Sequence, residues 1–126
     1  MNFVRFASLA AVATVLSTVG LSVAAQSLVV KCETRAGRAK ASVDGNNLAG
    51  GQYSAVIVSG THRAQSPLDS TVGDEVGFDF ASNAKDIAAG ATAIASNFIV
   101  GGKLTGQLLD ASGAVVIQRV ATCRVR

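Results

Sequence analysis

The chain has 126 residues, room for one domain and not two. Its formal net charge of +3 and aromatic content of 5% are too low for an electrostatic or base-stacking nucleic-acid surface. With two cysteines and a single histidine, it lacks the ligand set of a structural zinc site.

The first 25 residues are not domain sequence. Arg5 is followed by an uncharged apolar stretch, FASLAAVATVLSTVGLSVAA, over 6–25. A basic start, an apolar run and the small-residue end Val23-Ala24-Ala25 make the three-part pattern of a secretory signal peptide. Cleavage is expected between Ala25 and Gln26, leaving residues 26–126 as one mature domain. The run approaches the ~20 residues that span a bilayer. Ser8, Thr14, Ser17, Thr18, Gly20 and Ser22 dilute it, however, and no basic stop-transfer flank follows. No membrane association is therefore expected after cleavage. A lipoprotein would carry its cysteine directly after the run, and Cys32 comes later.

Without Arg5, ten Lys and Arg stand against eight Asp and Glu, a net +2. Lys31, Arg35, Arg38 and Lys40 crowd the mature start, and Arg119, Arg124 and Arg126 crowd the end. Asp69, Asp74, Glu75, Asp79 and Asp86 lie between. This distribution allows either a dipolar surface or ordinary solvated faces on opposite strands.

An even cysteine count in an exported chain favours a disulfide, so Cys32 is expected to bond Cys123. Closing a loop of roughly 90 residues stabilises by about 4–5 kcal/mol on chain-entropy grounds. The first and last mature strands must then be neighbours, or face each other across a core. A redox pair would be spaced Cys-x-x-Cys, which is absent.

The elements follow in order. Residues 26–33 alternate, with Leu28, Val30 and Cys32 on one face. Residues 38–44 alternate again, placing Ala39, Ala41 and Val43 inward. Asp44-Gly45-Asn46-Asn47 is a turn signal. QYSAVIVS, 52–59, is apolar on both faces and reads as a central strand. Residues 60–72, with the single proline Pro67, read as a long loop or irregular edge. DEVGFDF, 74–80, points Val76, Phe78 and Phe80 inward. A short helix is expected over 84–89, with the Asn83 side chain as N-cap and Gly90 ending it. SNFIV, 96–100, reads as a brief strand, and 103–109 as a full one. Asp110-Ala111-Ser112-Gly113 is a hairpin turn. Residues 114–125 read as one last strand with Val115, Ile117, Ala121, Cys123 and Val125 inward and a bulge or edge exposure near Arg119. Six or seven short strands of this kind predict an all-β, antiparallel sandwich.

LAGGQYSAVIVSG (48–60) and LTGQLLDASGAVV (104–116) resemble a Leu–Gly loop feeding a Tyr-bearing strand and a strand–Asp-x-x-Gly–strand hairpin of bacterial immunoglobulin-like modules. The whole resembles small exported proteins of Gram-negative bacteria. The resemblance implies an immunoglobulin-like β-sandwich and an exported address. It implies no activity and supplies no functional residues.

Catalytic chemistry finds little support. His62 sits in the polar SGTHRAQS loop near Ser59, Ser66 and Asp69, but no nucleophile elbow surrounds any serine. Asp74, Glu75, Asp79, Asn83 and Asp86 form an oxygen-rich run suited to calcium. Ala81 and Lys85 fall where EF-hand ligands belong, so the run reads as solvated charge and no metal is assigned. Gly50-Gly51 and Gly101-Gly102 lack the Lys-Ser/Thr of a phosphate loop, and no cofactor is expected. The chain thus reads as a non-enzymatic periplasmic or secreted binding module with a protein or cell-envelope partner. The alternative is a structural or assembly component that pairs through its edge strands.

Overall fold

Apolar–polar alternation shapes the first hairpin. β1 (Ser27–Arg35) pairs antiparallel with β2 (Arg38–Asn46), from Ser27 opposite Asn46 to Arg35 opposite Arg38. Leu28, Cys32, Ala39, Ala41 and Val43 are all buried on its inner face. These elements come from a computed structural model that describes residues 25–126. The expected signal peptide, Ala25 apart, lies outside the described residues.

β3 (Gln52–Ser59) opens the second sheet. Its entry is pinned by the Tyr53 hydroxyl, which donates to the Ala49 carbonyl at 2.7 Å. β4 (His62–Gln65) folds back on β3, and β5 (Asp69–Ser70) pairs with the start of β3. The chain then returns to the first sheet with β6 (Val76–Ala81), paired antiparallel with β2. Helix α1 (Ala84–Ala88) and β7 (Thr92–Ala93) follow. β8 (Lys103–Asp110) and β9 (Val115–Thr122) form a hairpin on the second sheet. Its turn is tied by the Asp110 carboxylate, which accepts from the Ser112 hydroxyl at 2.6 Å and the Ala114 amide at 3.0 Å, with Gly113 at φ 90°. β10 (Arg124–Val125) crosses back to β1.

The first sheet therefore runs β10-β1-β2-β6-β7, and the second β9-β8-β3-β4 with β5 also on β3. The fold is all-β, with seven strands of four or more residues and one short helix among the described residues. The inner faces share one core, in which Leu28, Val43, Ile57, Phe80, Leu104 and Leu108 are almost fully buried. Approach is closest at Gly106 of β8. A Cβ there would lie 2.6 Å from Val30 Cγ2 and 3.3 Å from Val43 Cγ2. Cys32 and Cys123 are bonded, with Cα atoms 4.6 Å apart, joining β1 of the first sheet to the end of β9 in the second. No helix among the described residues is long and apolar enough to cross a membrane.

Several expectations need correction. The pairing is not wholly antiparallel, since β10 on β1 and β7 on β6 run parallel. Of the two readings of residues 60–72, the irregular edge holds and the loop does not: β4 forms the edge of the second sheet, and Ser66 Oγ accepts from the Ala55 amide at 2.9 Å. SNFIV is not a strand. Phe98 turns into the core instead, and only Val100 bridges, to Lys103. The Asn83 side chain makes no capping bond, although the helix does end just before Gly90, at φ 115°.

The last strand also divides. β9 stops at Thr122, and β10 joins the other sheet, which leaves Val125 79% exposed. The bulge lies between Val115 and Ile117, turning Val115 out to 52% exposure. Arg119 keeps its parity. Opposite Gly106, its guanidinium spans the seam between the sheets and donates to the Leu28 carbonyl at 3.2 Å.

Candidate interaction surface

The ladder registers decide which side chains share each outward face. On the first sheet the rows are Val29–Asp44–Gly77, Lys31–Ser42–Asp79, Glu33–Lys40–Ala81 and Arg35–Arg38. Seven of these side chains are charged. Parallel pairing of β10 brings Arg124 opposite Glu33, and the Arg126 amide donates to the Thr34 carbonyl at 2.9 Å. Both basic ends of the chain thus gather at one end of this sheet. Asp44, Asp69 and Glu75 line an open concavity of about 380 Å3 at the other end. A larger concavity of about 560 Å3 between them is lined by Lys31, Glu33, Lys40, Ser42, Asp79 and Arg124. Charges of both signs mix there. The face is dipolar along its length, one of the two arrangements the sequence allowed.

Asp44 is the perturbed group on this face. Partial burial raises its pKa, and the Asp79 and Glu75 carboxylates add to the rise, while Lys31 opposes it. Its carboxylate lies over Gly77, where a Cβ would come within 2.6 Å of Oδ1. Sequence reasoning misses Asp44 because it belongs to β2, and only pairing with β6 sets it among the acidic residues.

The oxygen-rich run does not converge. Glu75 precedes β6, Asp79 lies midway along it, and Asn83 and Asp86 follow its end. Asp86 forms an ion pair with Lys40 at 3.6 Å, and the Asp74 carbonyl accepts from the Leu48 amide at 3.0 Å. Among the described residues, no group of three or more His, Cys, Asp or Glu side chains is arranged to hold a metal ion.

His62 is also drawn elsewhere. Its Nδ1 donates to the Phe98 carbonyl at 2.8 Å, and its ring lies 5.6 Å from the Phe98 ring. The serines near it in sequence serve the backbone. Ser59 Oγ donates to the Lys103 carbonyl at 2.6 Å and accepts from the Val100 amide at 2.7 Å, while Ser66 Oγ donates to Pro67.

The second sheet presents a different outward face. Its rows are Arg63–Val58–Thr105–Val120, Gln65–Val56–Gln107–Gln118 and Ser54–Leu109–Val115, with Lys103–Thr122 at the Arg63 end. Val56, Ser54 and Leu109 are buried within this face, while Val115 and Val120 stand 52% and 62% exposed at its β9 margin. Gln107 Nε2 donates to Gln118 Oε1 at 2.9 Å, and Gln65 Nε2 donates to Ser54 Oγ at 3.2 Å. In these rows Arg63 and Lys103 are the charged side chains, both basic and at the same end.

No protein-family model, curated protein or solved structure matches this chain. Its functional reading therefore rests on these two faces.

Proposed function

We propose that this chain is an exported, non-enzymatic interaction module of immunoglobulin-like type, docking a partner through the outward face of its second sheet. The observation that carries this reading is the glutamine–valine surface across four strands, charged only at one end and bordered by exposed Val115 and Val120. Depletion of charge marks the core of protein interfaces. Here the strongly exposed apolar side chains are Val115 and Val120 at the β9 margin, since Val56 and Leu109 are buried. The leader pattern and the disulfide support export, since such bonds persist outside the reducing cytosol. The immunoglobulin-like reading is supported by the division of the seven longer strands. The first, second and fifth lie in one sheet and the third, sixth and seventh in the other, as in that fold, while the fourth departs from it by pairing with the third.

Edge-strand assembly is the weaker reading. β9 is an eight-residue edge, but Arg119 on it is turned toward Leu28 of β1, and a charge at an edge opposes strand addition.

Photo-crosslinkers placed at Gln107 and Val120, compared with Lys40 and Ser42, test the docking in the native host. Adducts confined to the first pair are expected. Equal labelling from both pairs, or none from the first, overturns it. Fractionation of the host tests the address: a cytosolic protein with its leader intact refutes export.

A further inference from the structure

Resting on that reading, we infer that the partner of the second sheet's outward face is a second copy of this chain, docked face to face about a two-fold axis. Three features select a copy of itself over a charged partner.

The first is the glutamine row. Gln65, Gln107 and Gln118 flank Val56 in a single register row. Each carboxamide both donates and accepts, so the row matches itself when rotated onto its own copy. A two-fold interface demands such self-complementarity.

The second is the placement of charge. Arg63 and Lys103 lie at one end of the face. An axis through the glutamine row, perpendicular to the strands, sends these ends to opposite edges of the interface. The seven charges of the first sheet stay on the far side of each copy. They are separated from the interface by the inter-sheet distance of ~10 Å, beyond the ~8 Å screening length at physiological salt. An acidic partner would meet two cations at a corner, and a basic partner would find no carboxylate in these rows.

The third is the apolar margin. Val115 and Val120 continue the face to the β9 edge, where a monomer leaves them in water and a facing copy covers them. Four strands at ~4.8 Å spacing and about five residues at ~3.4 Å give roughly 320 Å2 in projection. Counted on both copies that is roughly 640 Å2, below the ~1,200 Å2 of specific stable interfaces, so the dimer is weak and transient.

Sedimentation velocity of the disulfide-bonded protein from about 10 μM to about 1 mM covers the range where small interfaces associate. A concentration-dependent monomer–dimer shift is expected. Gln107→Lys and Gln118→Lys oppose like charges at the two-fold and are expected to weaken association tenfold or more. Lys40→Gln on the first sheet is expected to leave it unchanged. Gln65→Lys, at an exposed site, gives an independent variant, and thermal melts confirm that each variant is folded. A monomer throughout the range, or association indifferent to all three lysine variants, overturns self-docking. If the chain is monomeric but Gln107 and Val120 crosslink to another protein in the host, self-docking falls and the interaction-module reading stands. If it is monomeric and the same positions yield no adduct, both fall.

Discussion

The two sheets are alike inside and opposite outside. The first turns Leu28, Ala39, Ala41, Val43, Val76, Phe78 and Phe80 toward the common core, and the second turns Tyr53, Ala55, Ile57, Leu104 and Leu108. Outward, β1, β2 and β6 carry seven charged side chains, whereas the rows of β4, β3, β8 and β9 carry two cations amid glutamine, threonine and valine. The same period of two thus encodes the core with one parity and the surface with the other. Since both inward sets are apolar, the contrast between the faces has no bearing on the common core. It separates a face suited to solvent from one suited to contact. The charged face also holds a destabilising element, Asp44, a carboxylate partly withdrawn from water beside Asp79 and Glu75.

Breaking the covalent tie between the sheets should have the largest effect. Cys32→Ser combined with Cys123→Ser releases a span of 91 residues and should cost about 4–5 kcal/mol in urea unfolding. An unchanged midpoint would mean that noncovalent packing alone keeps the two sheets together.

Next comes the inward–outward contrast within β8. Gly106→Ala drives a methyl into Val30 and should cost about 1–3 kcal/mol. Gln107→Ala, one residue on but facing out, should change stability by about 0.5 kcal/mol or less. Equal losses from the two would refute the assignment of faces.

Smaller effects concern the carboxylates. The raised pKa of Asp44 means that the folded protein favours its protonated form. Its ionisation therefore destabilises the fold at neutral pH, and relief comes as pH falls through its titration. Asp44→Asn should melt higher than the parent at pH 7, with the gap closing in acid. A lower melting temperature at pH 7 would show that Lys31 governs the site instead.

The smallest effect is expected at the exposed β8–β9 turn. The Ser112 hydroxyl and the Ala114 amide hold the Asp110 pKa below its ordinary 3.8. The stability this confers is present above that value and is lost as pH falls through the lowered one. Asp110→Ala should melt slightly lower at pH 7 and match the parent in strong acid. A constant difference across pH would point to turn geometry instead of charge.

The strands of clear alternation are legible in the amino-acid order alone. β1, β2, β3, β6 and β8 fall within two residues of their expected ends, as does α1. The Asp110–Gly113 turn and the cysteine pair are legible too, because turn chemistry and an even cysteine count are local or arithmetical signals. β4 is not, because HRAQ has neither apolar–polar alternation nor a β-branched residue. It becomes a strand by pairing with β3, and the Ser66 hydroxyl then holds the Ala55 amide. SNFIV misleads in the opposite direction. Its apolar residues close the core through Phe98 without joining a ladder. The acidic run looks like one site only when it is followed along the chain. Strand geometry spreads it from Glu75 to Asp86 over the length of β6.

Alternation is a nearest-neighbour property, so the primary structure was enough to say which side chains of β1, β2 and β6 turn inward and that the class is all-β, but not for β9, where Val115 turned out. Which strands lie side by side depends on contacts between residues distant in sequence. Those contacts gathered Gln65, Gln107 and Gln118 into one row, moved Arg124 across to Glu33 and set Asp44 beside Asp79. A surface made from four separated segments has no signature in any one of them, and it exists only once backbone hydrogen bonds have brought them into register.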